Sequence, residues 1–323
     1  LLSVYIHKCK RLLCLVIFIA LMMSCQAQKQ YKYNAFIVGG PCEITFYYGH
    51  EASAQEIIEE IDDELHRLDS LLSYFSEQSL VSNVNRSQKV YVPEDLLYLF
   101  TLSDSIARMT EGLFDISIAP LSEIWGFYRH ESNIPDAEEI KNTKKLVDYK
   151  RIHIENDTLS IPKGMKIDLG GIAQGFAADR IAALLREHGV TAAVINIAGE
   201  IVAIGKSPQG RPWHIGIQHP RGEGIIETVE LEDAAVSTSG DYEKFFIIGN
   251  KRYPHIINPI TGYPASDFVS VTIFSKEAAF ADALATAIAI MGYERGSDFL
   301  DSLGIRGIIY YEENTALKRK ETQ

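Results

Sequence analysis

Cysteine is scarce in this 323-residue chain, with four residues: Cys9, Cys14, Cys25 and Cys42. No pair sits at zinc-ligand spacing and there is no His-Glu-x-x-His, which removes the common zinc frameworks. The Walker phosphate loop is absent, and so is the Gly-x-Ser-x-Gly elbow of hydrolases. Basic residues are outnumbered, 31 against 43 acidic, for a net charge of −12. A nucleic-acid partner needs a basic footprint, so that class is excluded. A phosphate ligand is not excluded, because backbone N–H groups and a metal can hold one. No 20–50-residue repeat and no low-complexity linker divides the chain. Hydrophobic residues make up 46% and charged residues 23%, so disordered, collagen-like and coiled-coil classes are set aside.

The most hydrophobic run lies at the start. Lys8, Lys10 and Arg11 precede an apolar stretch from Leu12 to Met23, then Ser24-Cys25. Twelve residues fall short of the ~20 a spanning helix needs. A basic region, a short apolar region and a small residue describe a secretory signal. Leu21-Met22-Met23-Ser24-Cys25 is similar to a bacterial lipobox, which makes residues 1–24 the signal and Cys25 the lipidated first residue. An ordinary signal peptide cut nearby is the other reading. Residues 25–35 then read as lipidated Cys and polar tether, 36–312 as one catalytic unit, and 313–323 as a polar tail. Cys42 alone remains, so no internal disulfide is expected. Removing the three basic residues of the signal leaves 28 basic against 43 acidic. So acidic a chain is expected to reach a bilayer through its lipid, exported and facing the periplasm or the cell surface.

Along the chain, Ile44, Phe46 and Tyr48 alternate as a strand after a Gly39-Gly40-Pro41 turn. Ser53-Ala-Gln-Glu56 reads as a capping box opening a helix through Leu72. Ser73 to Asn85 is polar without a period and reads as a loop. A helix is predicted from Pro93-Glu94 to about Thr110, and a hairpin around Asn156-Asp157. Lys166–Leu169 reads as a strand end, leading through Gly170-Gly171 into a helix stopped by Gly189. Short strands follow at 192–197, 201–204, 213–217, 228–231, 234–237, 245–248 and 269–274, with a hairpin turn at Gly249-Asn250. A helix is predicted over Ala278–Met291. Strands outnumber helices and sit in hairpins, which predicts an α+β fold with mostly antiparallel sheet.

Five segments can carry chemistry, and each has a plainer explanation beside it. Asp168-Leu-Gly-Gly-Ile-Ala-Gln-Gly175 ends a strand and bends into a helix, exposing backbone groups to a ligand; otherwise Asp168 caps that helix. Asp282 and Thr286, four apart on a helix, present a carboxylate and a hydroxyl together. Oxygen ligands suit a hard cation such as Mg²⁺; otherwise Asp282 lies on a solvated stripe. His255, between Pro254 and Asn258-Pro259, is held where a base can act; otherwise it is a structural hydrogen-bonder. Ser237-Thr-Ser-Gly-Asp-Tyr242 is a hydroxyl-rich phosphate loop or a turn. Gly112-Leu-Phe-Asp115 with Pro120, Trp125 and Phe127 walls a flat ring or is core.

Taken in order, Ser73-Tyr74…Ser79…Asn85, Gly112-Leu-Phe-Asp115…Pro120-Leu121…Trp125-Gly126, Asp168 to Gly175, Ser237 to Tyr242, His255-Ile-Ile-Asn258-Pro259…Thr261-Gly262 and Asp282 to Thr286 resemble the ApbE-like family of FAD:protein FMN transferases. The resemblance runs from about residue 36 to about 310. It implies FAD as substrate with Mg²⁺, FMN transferred to a Thr hydroxyl of an acceptor protein, and AMP released. By that resemblance Asp282, Thr286 and the Gly171 carbonyl hold Mg²⁺. Val38, Tyr74, Leu113, Phe114, Asp115, Asp168, Gln174, Ile256 and Ala285 contact FAD, and His255 is the base. Departures are Gln174 in place of Lys or Glu, Ala198-Gly199-Glu200 in place of Gly-Gly-Asp, and Val38 at the position of a Met. Hydrolysis of FAD to AMP and FMN, and a flavin-binding lipoprotein without catalysis, remain as alternatives.

Overall fold

Alternating apolar residues form a strand earlier in the chain than expected. In a computed structural model, which describes residues 28–129 and 132–323, β1 (Lys29–Ile37) buries Tyr33 and Ile37 and pairs antiparallel with β2 (Gly40–Tyr48) along its whole length. The turn between them places Val38 and Gly39 at φ 53° and 81°, the paired left-handed conformation of a two-residue hairpin. Most of the stretch expected to be a tether is therefore strand. The polar residues of β1 face outward while every second residue packs, and composition alone hid that period. The signal sequence and Cys25 lie outside the described residues.

Six more strands complete one sheet: β3 (Ala193–Ile197), β4 (Glu200–Ile204), β5 (Ala234–Gly240), β6 (Ser270–Ser275), β7 (Gly307–Glu313) and β8 (Ala316–Glu321). Their order in space is their order in sequence, and every neighbouring pair is antiparallel. The expected α+β class is what the chain adopts. The supposed C-terminal tail supplies β8, registered against β7 from Ala316↔Glu313 to Glu321↔Ile308.

Eight α-helices are described: α1 (Glu51–Leu72), α2 (Leu80–Ser87), α3 (Glu94–Met109), α4 (Ala119–Ile124), α5 (Ala137–Thr143), α6 (Ala173–Glu187), α7 (Ala278–Met291) and α8 (Tyr293–Leu303). α7 is apolar nearly all round and is correspondingly buried, between the sheet and α6, α3 and α8. The opposite face of β6 and β7 is covered by a hairpin, Trp213–Gln218 with Ile225–Leu231, whose Ile217 and Val229 pack on Val269, Ile308 and Tyr310. α7 spans the predicted residues. α1 begins at Glu51 instead, with no side-chain cap, so Ser53 and Glu56 lie inside the helix. Ser79 does cap: its Oγ accepts the Ser82 N–H at 2.9 Å and opens α2, inside the stretch expected to be a loop. Eight residues are too few to show a helical period.

Lys166–Leu169 forms no strand and joins no ladder. Asn85 replaces a neighbouring strand there. Its Oδ1 accepts from Ile167 N at 2.7 Å and its Nδ2 donates to Ile167 O at 2.8 Å. Asn85→Ala leaves both backbone groups of the buried Ile167 unpaired. The expected loss is about 2 kcal/mol of stability, read by chemical denaturation; a loss under ~0.5 kcal/mol would mean water replaces the amide.

Candidate active site

The Asp168–Gly175 turn and α7 meet where glycine leaves room. A Cβ on Gly171 would lie 3.2 Å from Thr286 Oγ1 and 3.4 Å from the Phe114 ring. Gly175 lets α6 cross α7 closely, and its N–H donates to Asp282 Oδ2 at 3.1 Å. Thr286 Oγ1 is 3.5 Å from Ser239 Oγ on β5. Gly171, Asp282, Thr286 and Ser239 thus share one place; the spacing of residues four apart on a helix anticipates only the Asp282–Thr286 pair within it. Asp282 is not on a solvated stripe: it is 5% exposed.

Asp179, on the same helix as Gly175, aligns α7 from the side. Its two carboxylate oxygens accept the Ala278 and Ala279 N–H groups, both at 2.8 Å, at the N-terminus of α7. Nothing in the sequence pattern marks it, because the helix it caps is a hundred residues away.

The flavin-side residues fall into smaller groups. Gln174 Nε2 donates to the Val38 carbonyl at 3.1 Å, tying the start of α6 to the first hairpin turn. Tyr74 lies against Tyr128 with ring centroids 4.3 Å apart, and the exposed Phe75 meets both edge-on. Tyr128 Oη donates to Asp168 Oδ2 at 2.5 Å, while Asp168 Oδ1 accepts from Gly170 N. Asp168 therefore shapes the turn and does not cap α6, whose N-cap is Ile172 without a side-chain bond. Leu113 and Phe114 are buried. Asp115 is committed to structure: one oxygen accepts from Ser117 N and Oγ, the other from Tyr149 N. Any flavin contact there is left to its backbone. Trp125 is fully enclosed, donates Nε1–H to Gly262 O and packs on Phe246 and Tyr253, so it is core.

That packing anchors the ribbon Phe245–Ile248/Lys251–Pro254, and His255 follows it directly. His255 Nδ1 is 3.1 Å from the Lys244 carbonyl. A carbonyl only accepts, so Nδ1 carries the hydrogen and Nε2 keeps its lone pair. Burial first, then the Lys244 charge, holds the ring below the usual histidine range, although it is only half-buried. The next residue, Ile256, packs in one cluster with Ala285 of α7. Asp282 and Thr286, and the segment that follows His255, are thus both tied to α7.

Two further acids enter the cluster. Glu200 opens β4 and is 7% exposed; burial, then the Asp282 charge, raises its carboxyl well above the ordinary range. Burial pushes Glu243 up to about 7, partly offset by the Gly240 N–H it accepts. Asp282 is raised as well, by burial ahead of all else. Asp179 goes to about 6 for the same reason. No ion pair among the described residues involves Glu200, Glu243 or Asp282. A raised acid binds more protons folded than unfolded, so stability falls as pH rises between the unfolded and folded values. The metal-free protein is expected to lose thermal stability between pH 5 and pH 8, by roughly 5 °C or more. Mg²⁺ is expected to restore more of it at pH 8 than at pH 5; equal shifts would remove the acids from the metal's surroundings. A cavity of about 510 Å³ lies elsewhere, against Arg221, Asp241, Arg252 and Tyr293, and shares none of these residues.

The residues fit a hard cation. They offer one carboxylate, one hydroxyl and a glycine backbone, all oxygen donors, with buried carboxylate and hydroxyl atoms nearby that lack partners. No group of three His, Cys, Asp or Glu among the described residues is placed to enclose a metal.

The family model "ApbE family" matches residues 38–309. A FAD:protein FMN transferase of Treponema pallidum is 30% identical over 295 residues, 84% of this chain and 82% of that protein. One from Vibrio cholerae is 33% identical over 255 residues, 76% of this chain and 74% of that protein. Among solved structures, the flavinyl transferase ApbE of Pseudomonas stutzeri in its apo form superposes with a TM-score of 0.84 at 28% identity, covering 92% of this chain and 96% of its own. The ApbE protein of Thermotoga maritima does so with 0.82 at 32%, covering 90% and 97%. Sequence, fold and the convergence of Gly171, Asp282 and Thr286 agree: the chain belongs to the ApbE family.

Proposed function

We propose that this chain, a FAD:protein FMN transferase by its family and relatives, moves FMN from FAD to a threonine hydroxyl of an acceptor protein and releases AMP. The observation that carries the reading is the meeting of Gly171, Asp282, Thr286 and Ser239, oxygen-rich, buried and beside His255's segment. Asp282, Thr286 and the Gly171 carbonyl would hold Mg²⁺, which supplies charge neutralisation at a pyrophosphate. The tyrosine pair Tyr74–Tyr128 offers a flat face for the flavin ring. Neutral His255 takes the acceptor hydroxyl's proton on Nε2 as its oxygen bonds to the FMN-side phosphorus. The phosphorus–oxygen bond to AMP breaks, and AMP departs with that electron pair. Export and anchoring through Cys25 belong to the same proposal and rest on the basic, apolar and Ser24-Cys25 pattern.

The test is mass spectrometry of a threonine-bearing acceptor incubated with enzyme, FAD and Mg²⁺. A gain of the FMN moiety, absent with EDTA, is expected. AMP and free FMN without acceptor gain would favour hydrolysis; unchanged FAD would leave a binding protein. His255→Ala is expected to slow transfer by about 10²–10⁴-fold. With the histidine below its usual range, the neutral ring persists as pH falls. At saturating Mg²⁺ the wild-type rate should therefore show no histidine inflection near 6.5. A pH-rate limb at that value would assign the base elsewhere.

A further inference from the structure

Glu200 and Ser237 are joined to the metal pair by sheet geometry. β4 and β5 pair antiparallel with Ile201 opposite Val236, so Glu200 and Ser237 are the next cross-strand neighbours. Ser237 and Ser239 share a face of β5, about 7 Å apart. Ser239 is the residue that reaches Thr286. Glu200 is 7% exposed and Ser237 fully enclosed; the two side chains face each other across the ladder, yet neither Glu200 Oε2 nor Ser237 Oγ completes a hydrogen bond of good geometry.

A buried carboxylate without a partner is costly, and apolar neighbours such as Val202 and Ala235 show what the position could hold instead. The unpartnered atoms therefore need an occupant. A bare ion enclosed by three carboxylates is not the answer, since no such group closes among the described residues. Mg²⁺ gives up its water reluctantly and is held by one or two carboxylates plus waters. We propose that Glu200 and Ser237 form an outer wall of the cation site, hydrogen-bonding the waters of a Mg²⁺ held by Asp282 and Thr286. This rests on the magnesium reading above. Glu200 accepts from those waters and sets their orientation, while Ser237 bridges Glu200 and the water layer. Both are positioning residues and touch no reacting atom.

The test uses Mn²⁺ as the probe, with the full chain and no flavin. Free Mn²⁺ is counted by electron paramagnetic resonance, and bound water is read by proton relaxation. Wild type is expected to bind Mn²⁺ with several waters. Glu200→Gln should weaken that binding by about 10-fold or more and lower the relaxation enhancement per bound ion. Ser237→Ala should weaken it less, and it carries the test alone if Glu200→Gln does not fold. A merely structural role would lower the metal-free melting temperature and leave the Mn²⁺ affinity of the folded protein unchanged. Wild-type affinity and relaxation in both variants would overturn the outer wall while keeping the metal site. No Mn²⁺ binding by wild type would overturn the magnesium reading, and the wall with it.

Discussion

Asp282→Asn is expected to reduce flavin transfer by about 10³-fold or more while the protein stays folded. The rate expectation follows from the charge the reaction needs. A pyrophosphate approaching Asp282, Glu200 and Glu243 meets buried acids and no Lys or Arg ion-paired to them. A divalent cation is worth several kcal/mol of charge stabilisation in such a step. Asn keeps the size of the side chain and an oxygen for the Gly175 N–H, but it cannot neutralise a cation. The stability expectation has the opposite sign. Burial raises Asp282, so the ionised form is disfavoured by the fold at neutral pH. Removing that charge should leave the metal-free melting temperature unchanged or higher at pH 8. The stabilisation by Mg²⁺ should disappear. Acceptor flavinylation and thermal melting with and without Mg²⁺ separate the effects. Activity above a tenth of wild type would take Asp282 out of the metal site.

Gly175→Ala should have the largest effect on the fold. A Cβ there would sit 2.4 Å from the Ala278 carbonyl oxygen, 2.6 Å from its carbon and 2.8 Å from Ala279 Cα. All three are backbone atoms, so no side-chain rotation relieves the clash and α6 must move off α7. Overpacking a closed interface costs about 1–3 kcal/mol, and more where backbones collide. The displacement also withdraws the N–H that Asp282 accepts and misaligns the Asp179 bonds to Ala278 and Ala279. The expected outcome is a melting temperature lower by roughly 10 °C, or failure to fold. Gly189→Ala is the control. Its Cβ meets nothing within 4 Å, and only its φ of 75° opposes a side chain, which costs about 1 kcal/mol. Equal losses in the two variants would show that close helix crossing is not what Gly175 provides.

Local chemistry determines much of this protein without any long-range contact. α7 spans the residues its apolar pattern predicts, and the hairpin turns at Asn156-Asp157 and Gly249-Asn250 take the positive φ their residue types allow. Asp282 and Thr286 share a face because 3.6 residues make a turn. These are short-range properties, decided within a few residues. Tertiary structure decided the rest. β1 and β8 are polar strands whose identity depends on the neighbour each pairs with. Asn85 substitutes for a strand beside Ile167, 82 residues away. Asp179 caps a helix that begins 99 residues later. Glu200 stands at a turn in the sequence; only the register of β4 with β5 sets it beside Ser237, on the strand whose Ser239 reaches Thr286. The sequence by itself determined which side chains can bind an oxygen-loving cation and take a proton. Which of them meet is set by long-range packing, because burial and hydrogen-bond satisfaction are properties of a neighbourhood that no stretch of sequence contains.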